Sequence, residues 1–269
     1  MKINKQAFLI GLMFFSFFIS CDKDANKPVI EPDNKYQLTI SRNNKLFEIF
    51  IFNDQQLLSQ FNYDTFGIIK EKHYYHYSTQ RIKKDFLDKD SVLLSYQIYK
   101  LDKNNLIDTI LVYNKSTGFT QSNHGYIFKY SNLGKIDTIM DKAFSNNEHL
   151  DIGFVWSGNN VSEKKFPLSS GFPQYYYDYD NKPSIYKLIK APVDVNIGTL
   201  EVAEIPLSDN NIKKVSVKKM VNNDFTFETI TYELYNSSFI YNKDGYITSE
   251  LRHYKDHAVK FDYKIDTIK

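Results

Sequence analysis

The chain has one cysteine among 269 residues, Cys21. A lone cysteine excludes an internal disulfide, and its place before the folded part excludes a thiol nucleophile there. Tryptophan also occurs once, and glycine and proline number only ten and seven. Alanine is scarce, whereas tyrosine and phenylalanine number 21 each. Because aromatic side chains favour the pleated, half-buried surface of a sheet, this composition predicts strands and little helix.

An excess of charge of either sign is missing as well. The chain has 34 basic and 32 acidic residues, and Lys2 and Lys5 belong to the N-terminal segment that we predict is removed. The remaining chain is formally neutral, which excludes the basic field that attracts nucleic acid. We therefore predict no nucleic-acid partner.

Catalytic and metal-binding signatures are absent. The sequence has no Gly-x-Ser-x-Gly turn, no phosphate-binding glycine loop and no dinucleotide fingerprint. His73 and His76 occupy an odd and an even position of one predicted strand, so they point to opposite faces. His253 and His257 are four apart, a helical spacing in a stretch that we predict to be strand and turn. We predict no metal and no cofactor, and favour a non-enzymatic role while leaving the question of an enzyme open.

The N-terminus has the form of an export signal. Lys2 and Lys5 precede an apolar run over residues 7–19, which is too short for a comfortable transmembrane helix and ends at Ser20 and Cys21. We interpret residues 1–20 as a signal peptide. The alternatives are an ordinary secretory signal with an incidental free cysteine, or an uncleaved anchor.

Phe18, Ile19, Ser20 and Cys21 together resemble the lipobox of bacterial lipoproteins. This resemblance implies cleavage before Cys21 and acylation of its thiol and new amino group by fatty acids such as palmitate. Each buried methylene contributes about 0.8 kcal/mol, so several acyl chains form a stable membrane anchor. Residues 21–35 have no apolar period, contain Pro28 and Pro32, and are predicted to be a flexible tether.

Residues 36–269 contain a recurring hairpin unit, clearest in FIYNKDGYITSE at residues 239–250. The unit is an aromatic, any residue and Tyr, then three residues, Gly or Asn, one residue, and Ile. A Gly or Asn at that place tolerates the positive φ that a tight hairpin requires. The clear copies have Gly67, Gly134 and Gly245, a variant has Asn105, and the degenerate copies are at Pro183 and Asn211. We predict one all-β domain, an antiparallel meander of long hairpins that forms a curved or barrel-like sheet.

Three stretches depart from this pattern. Residues 53–60 are interpreted as a short helical turn, and residues 79–90 as a loop or short helix, since Ile82, Phe86 and Leu87 have helical spacing. Residues 141–172 are predicted to be the least regular part of the chain.

The repeats resemble the YD-type hairpins of bacterial surface proteins. Residues 177–185, 208–212 and 239–248 further resemble a family of Bacteroidetes lipoproteins of unknown function, although Ser184 and Ile247 depart from its pattern. The resemblance implies a protein anchored by its lipid in the outer membrane, on the periplasmic or cell-surface side. It carries over no catalytic residue, because the matching motifs are structural.

Binding is the function that the aromatic residues favour. Exposed aromatic rings stack on sugars or pack against proteins, and the candidate ligand-binding residues are Trp156, Tyr175, Tyr176, Tyr177 and Tyr179. The alternative is that these rings pack on the sheet. We predict a cell-envelope lipoprotein that binds a glycan or a protein partner. The other two hypotheses are a structural or assembly component of the envelope and a hydrolase with an unrecognised carboxylate pair.

Overall fold

The structure, a computed structural model, describes residues 34–268 except 55, 144–148, 167–172, 190–191, 193–206 and 224–225. The predicted signal peptide, Cys21 and nearly all of the tether lie outside the described residues. No helix in the described ranges is long and apolar enough to cross a bilayer. From Lys35 onward, the chain forms one compact unit.

Sixteen strands and very little helix occur in this part of the chain. The strands are β1 (Lys35–Arg42), β2 (Lys45–Phe52), β3 (Leu57–Tyr63), β4 (Ile69–Ser78), β5 (Arg81–Asp88), β6 (Leu93–Leu101), β7 (Ile107–Asn114), β8 (Gln121–Tyr130), β9 (Ile136–Ala143), β10 (His149–Ser157), β11 (Asn160–Lys165), β12 (Gln174–Pro183), β13 (Asn210–Asn223), β14 (Thr226–Tyr241), β15 (Ile247–His253) and β16 (Ala258–Ile268). A 3₁₀ turn (Lys115–Thr117) follows β7, and a short helix, α1 (Tyr186–Ile189), follows β12.

The strands form a closed antiparallel barrel. Each pairs with its neighbours in sequence, and β1 pairs with β16 from Lys35–Ile268 to Arg42–Phe261. Closure removes the free edges on which sheets otherwise associate. The prediction of an all-β meander of hairpins with a barrel-like sheet is confirmed.

The inward face of the barrel is mainly apolar and packed, although it also buries Lys84 and Glu250. Strand β16 shows the pattern, because Val259, Phe261 and Tyr263 are buried while the intervening residues are not. A barrel of sixteen strands can enclose an aqueous channel. Here Leu38, Tyr99 and Val215 on the inner face are 0% exposed, so their surroundings are filled by other side chains.

The outward face carries charged residues. On β16, Lys260 and Asp262 alternate with the buried residues and form an ion pair of 2.9 Å. Similar outward pairs occur on other strands, namely Lys83–Asp85, Lys165–Glu163, Lys214–Glu233 and Lys264–Asp266. The outward face of the barrel therefore carries charged side chains on these strands.

The predicted hairpin unit has one geometry wherever it occurs. In the clearest copy, Tyr241 pairs with Ile247 next to a bulge, and Gly245 has a φ of 85°. The side chain of Asn242, directly after the tyrosine, accepts hydrogen bonds from the backbone of Asp244 at 3.0 Å and Tyr246 at 2.9 Å. The copies at Gly67, Asn105 and Gly134 have the same positive φ and bulge.

A further copy, which the sequence rule misses, follows β5. Leu87 pairs with Leu93 across a bulge, and Ser91 has a φ of 65°. The carboxylate of Asp88 accepts hydrogen bonds from the backbone of Asp90 and Val92. Serine at the positive-φ position and leucine in place of tyrosine and isoleucine obscure this copy in the sequence.

The turns that follow even-numbered strands lie together, at what we call the Gly245 end of the barrel. Each hairpin there pairs a large residue on the incoming strand with an aliphatic residue on the outgoing one. We call these residues the collar, and its pairs are Phe52–Leu57, Tyr77–Ile82, Leu101–Ile107, Tyr130–Ile136, Trp156–Val161, Tyr179–Ile212 and Tyr241–Ile247. All of them belong to the hydrophobic core or pack against it.

Polar atoms of the collar join neighbouring hairpins. Tyr130 donates from its hydroxyl to the carbonyl of Ile107 at 2.8 Å. Trp156 donates from Nε1 to the carbonyl of Ile136 at 2.7 Å, and Tyr179 donates to the carbonyl of Val161 at 2.6 Å. Each bond satisfies a carbonyl of the preceding hairpin, and the aromatic ring of the donor stays in the core.

Two local predictions are wrong. Residues 57–63 form strand β3 rather than part of a helical turn, and residues 81–88 form strand β5 rather than a loop or short helix. On β5, Ile82 and Lys84 are two residues apart and both face inward, so the four-residue spacing of Ile82 and Phe86 also fits a strand. The stretch predicted to be least regular, 141–172, lies partly outside the described residues, and its described part includes the hairpin of β10 and β11.

Candidate functional site

A pocket opens inside the barrel near the Gly245 end, between the segment that begins α1 and strands β13–β16. Apolar, polar and charged side chains all contribute to its lining. Its lining residues are Ser184, Ile185, Tyr186, Asn210, Asn211, Ile212, Phe239, Ile247, Glu250, Arg252 and Tyr263. Ile247 begins β15, whereas Glu250 and Arg252 lie three and five residues further along it, so the pocket extends from the end of the barrel into its interior.

Glu250 is a buried carboxylate, 3% exposed, at the centre of a hydrogen-bonded cluster. Its Oε1 accepts from the Ser237 hydroxyl at 2.5 Å and from Arg252 Nε at 2.8 Å. Its Oε2 accepts from an Arg252 Nη at 3.0 Å and from the Tyr263 hydroxyl at 2.8 Å. Four donors thus compensate the carboxylate for the loss of water.

Arg252 is held in one plane by two aromatic rings. Its guanidinium carbon lies 4.6 Å from the ring centre of Tyr235 and 4.6 Å from that of Phe261. Residues two apart on a strand share a face, which places Arg252 beside Glu250. Cation–π contacts and the two-bond pairing with Glu250 together fix its orientation.

Asp180 connects three segments of the chain next to the pocket through hydrogen bonds. Its carboxylate accepts from the backbone of Lys182 at 3.0 Å, from the Asn211 side chain at 3.1 Å, and from the Tyr241 hydroxyl. Burial, with the Asp180 carboxylate as the next cause, holds the pKa of Tyr241 well above its usual value. Tyr241 therefore stays protonated and donates to Asp180 at neutral pH.

The helix α1 closes part of the barrel beside this cluster. Ile185 and Ile189 are buried in the core, and the ring of Tyr186 meets that of Phe50 edge-on at 6.3 Å. Lys187 of α1 forms an ion pair of 2.8 Å with Asp209, which directly precedes β13. The contacts of Asp180 and this ion pair hold α1 in place beside the pocket.

The pocket is small. Its cavity volume is about 30 Å³, room for about two water molecules.

Three of the five aromatics predicted to bind a ligand lie inside the barrel, within one row on β12. Tyr175 and Tyr177 are buried and Tyr179 is in the collar. Among the described residues, the buried hydroxyl of Tyr177 has no hydrogen-bond partner, and burial raises the pKa of Tyr177 well above the usual value. Their rings pack on the inner face of the sheet.

The other two predicted aromatics are separated from that row. Tyr176 is on the opposite, outward face of β12 and donates to Gln174 at 3.2 Å. Trp156 is the collar residue of the β10–β11 hairpin, in the place that tyrosine takes elsewhere. The structure therefore does not bring the five rings to one face, and their ligand-binding role stays a prediction.

The histidines occupy the positions expected from strand alternation. His73 is buried, with its ring centre 4.6 Å from that of Phe86, whereas His76 is outward and 3.0 Å from Asp85. His257 stacks on Tyr254 in the turn before β16. Within the part of the chain that the structure describes, no group of three potential ligands is placed to hold a metal ion.

Sequence reasoning missed the cluster around Glu250. Strict alternation from the inward Ile247 would place Ser249 and Leu251 inward and Glu250 and Arg252 outward. A bulge next to the Tyr241–Ile247 pair reverses this, so that Glu250 is buried and Leu251 is exposed. The partners Ser237 and Tyr263 come from other strands and cannot be read from the local pattern.

We expect Trp156→Ala to lower the free energy of unfolding by about 3 kcal/mol, because it leaves a void and an unpaired Ile136 carbonyl. Trp156→Phe keeps most of the ring and should cost about 1 kcal/mol. Urea denaturation of both variants measures the difference. If Trp156→Ala is as stable as wild type but loses a ligand, Trp156 serves binding instead of the collar.

No protein-family model matches the sequence, and no curated protein matches it. Solved structures do share its fold. A porin-like protein from Bacteroides uniformis has a TM-score of 0.54 and 13% identity, with 87% of this chain and 98% of that chain covered. A porin-like protein from Bacteroides vulgatus has a TM-score of 0.46 and 13% identity over 85% of this chain and 96% of that one. At such low identity, the first likeness shows that the chain has the barrel fold of a Bacteroides porin-like protein.

Proposed function

We propose that this protein is a lipoprotein of the bacterial cell envelope, held in the outer membrane by acyl chains on Cys21, whose barrel is a non-enzymatic binding module in water. The observation that carries this proposal is the polarity of the barrel. Its inner face is mainly apolar and packed, with a few buried charges such as the Glu250–Arg252 pair, and its outer face carries ion pairs such as Lys260–Asp262 and Lys214–Glu233.

A barrel that crosses a bilayer needs the reverse arrangement. Its outward residues form an apolar band about 25 Å tall, and its interior is polar. A lysine facing lipid at the middle of the bilayer costs about 2–4 kcal/mol. An outward lysine on β5, β13 or β16 would carry this cost to the extent that it faced the hydrocarbon. The likeness to porin-like proteins is therefore a likeness of fold. We assign the membrane attachment to the lipid on Cys21.

The pocket supports binding more than hydrolysis. Retaining and inverting glycosidases use two carboxylates that flank the scissile bond. The pocket lining, as far as the structure describes it, includes one carboxylate, and both oxygens of Glu250 already accept two hydrogen bonds each. A partner without bond cleavage, either a glycan or a protein, fits this arrangement better.

Removal of the thiol tests the anchor. Wild type should sediment with membranes and resist an alkaline carbonate wash, because several acyl chains hold it there. Cys21→Ala should lose incorporation of a labelled fatty acid and move to the supernatant. Fractionation of cells that express the full chain, followed by immunoblotting, measures both effects.

Ser20→Ala is the matched control. It retains a small residue before Cys21, so labelling and sedimentation should be unchanged. Persistent labelling of Cys21→Ala would show that the lipobox interpretation is wrong. An unlabelled Cys21→Ala protein that still resists the wash would mean that the barrel itself resides in the bilayer.

A further inference from the structure

We propose that two copies of this chain associate through one edge of strand β14, which pairs antiparallel with the same edge of the second copy. This inference goes beyond the proposed function, because it depends neither on the lipid nor on the pocket. It follows from the length, the exposure and the sequence of one hairpin.

The hairpin of β13 and β14 extends further than the strand beside it. β14 pairs with β13 from Thr226 to Asn236, but its pairing with β15 begins only at Asn236 and His253. Along residues 226–234, no strand in the described part of the chain pairs with the other side of β14. We call this side of residues 226–234 the β14 edge. At about 3.3 Å per residue, it is about 26 Å long.

A ribbon of two strands is incomplete as a sheet. An isolated hairpin is marginally stable in water, and a third strand supplies hydrogen-bond partners for the backbone along its edge. Residues 229–233 are all exposed, with Ile230 at 40% and Tyr232 at 41%. The hairpin therefore gains stability when a strand is added along the β14 edge.

The β14 edge lacks the residues that commonly prevent strand addition. Lysine, proline and glycine interrupt or protect such edges, and residues 226–234, TFETITYEL, contain none of them. On β13, in contrast, Lys218 and Lys219 lie where the pairing with β12 ends. Strand addition is thus favoured on β14 and disfavoured on β13, so that association stops at a closed pair of copies.

The β14 edge is complementary to itself when a two-fold axis passes through Ile230. Ile230 then lies opposite its own copy, and Thr229 lies opposite the partner's Thr231. Pairs of β-branched residues and of threonines are favourable neighbours across strands. Glu228 and Glu233 each lie opposite an aromatic residue, so no like charges meet.

The position of β15 excludes the next register. An axis at Thr231 would place the partner's Thr226 opposite Asn236. That position along the edge is already occupied by His253 of β15. With the axis at Ile230, the shared pairing ends before this point, and the two hairpins form a four-stranded antiparallel sheet.

Engineered cysteines test the register in the full chain carrying Cys21→Ala, which has no other cysteine. Ile230→Cys places its thiol opposite its own copy, within the Cα separation of about 4.4–6.8 Å that a disulfide spans. Tyr232→Cys is the matched control, because it is as exposed and on the same face, but its two copies are about 13 Å apart along the strands. After oxidation in detergent, Ile230→Cys should run on gels as a reducible dimer and Tyr232→Cys as a single chain.

Lysines at the same two positions test the energetics of the pair. Ile230→Lys places two lysines opposite each other and should weaken dimerisation by about tenfold or more. Tyr232→Lys places each lysine opposite the partner's Glu228, so the dimer should be retained. Sedimentation equilibrium of wild type and both variants in detergent, over a range of protein concentrations, measures the dissociation constant of the dimer.

A wild-type protein that stays a single chain at every concentration would overturn the proposal. Equal crosslinking of Ile230→Cys and Tyr232→Cys, or crosslinking of neither, would overturn it as well, since the two-fold register requires a difference. Equal weakening by the two lysines would also contradict it. None of these results affects the membrane attachment, which the Cys21→Ala fractionation tests independently.

Discussion

Glu250→Leu should destabilise the barrel by about 3–5 kcal/mol, because it leaves the Arg252 guanidinium buried without its counter-charge. The substitution also removes the acceptor of the Ser237 and Tyr263 hydroxyls. For a domain of this size, such a loss lowers Tm by about 10 °C or more. Since whole domains are stable by about 5–15 kcal/mol, the variant should be close to the limit of folding.

Replacing both charges should restore much of the lost stability. In Glu250→Leu/Arg252→Met, the pocket lining carries no charge, and the methionine can occupy the space between Tyr235 and Phe261. Denaturant titration of the two single variants and the double variant measures the coupling between the residues. We expect the double variant to be more stable than either single variant.

Lys260 and Asp262 provide the matched control for this pair. They too are two apart on one strand and form an ion pair of 2.9 Å, but they are on the outer face. Asp262→Leu should change the free energy of unfolding by less than about 1 kcal/mol. A loss as large as that of Glu250→Leu would mean that burial is not what makes the inner pair costly to break.

Features that are built from residues close in sequence could be predicted, whereas features that depend on distant residues could not. The hairpin unit at Gly67, Gly134 and Gly245 was predictable because its turn, bulge and flanking aromatic lie within nine residues. The copy at Ser91 was missed because serine at positive φ is uncommon and gives no signal. There the acidic residue directly before the turn, Asp88, is the common feature, and it corresponds to Asn242 in the clearest copy.

Closure of the barrel could not be predicted in detail, because it is a contact between the two ends of the folded chain. Nothing in β1 alone indicates that Leu38 pairs with Ile265 across more than two hundred residues. The alternation on β16 agrees with the burial of Val259, Phe261 and Tyr263, although Ile265, which continues the same pattern, is 39% exposed. It could not distinguish an open curved sheet from a closed barrel, since both bury one face.

The candidate site was missed for the same physical reason. The aromatics of β12 were singled out because they are concentrated in sequence, but alternation sends Tyr176 outward and its neighbours inward. Trp156 was singled out because it is the sole tryptophan, and its register identifies it as a collar residue. Glu250 is ordinary in sequence, and its role depends on donors from β14 and β16.

The collar should make the barrel sensitive to alkali. Burial raises the pKa of Tyr130 to about 12, with the nearby Asp102 charge as the next cause, and raises the pKa of Tyr179 to about 12. Burial raises the pKa of Tyr77 further still. Each of these hydroxyls donates to a backbone carbonyl, which a phenolate cannot do.

Stability falls at high pH because the unfolded chain releases its tyrosine protons at a lower pH than the folded barrel does. Below the unfolded value of about 10, both states hold the proton and the full stability is present. Above it, the unfolded chain releases protons that the folded barrel retains, so the stability falls as pH rises towards about 12. We expect cooperative unfolding in this window, measured by denaturant titration at a series of pH values and by the ultraviolet absorbance of phenolate.

Tyr130→Phe and Trp156→Phe separate titration from the simple loss of a collar hydrogen bond. Both variants remove a donor to the carbonyl of the preceding hairpin, from Ile107 and Ile136 respectively. Tyr130→Phe should lower stability at neutral pH but reduce its fall with pH, by up to about 1.4 kcal/mol per pH unit above pH 10. Trp156→Phe, which removes no titrating group, should lower stability equally at every pH. If the two variants show the same dependence on pH, the alkaline unfolding arises from groups other than the collar tyrosine.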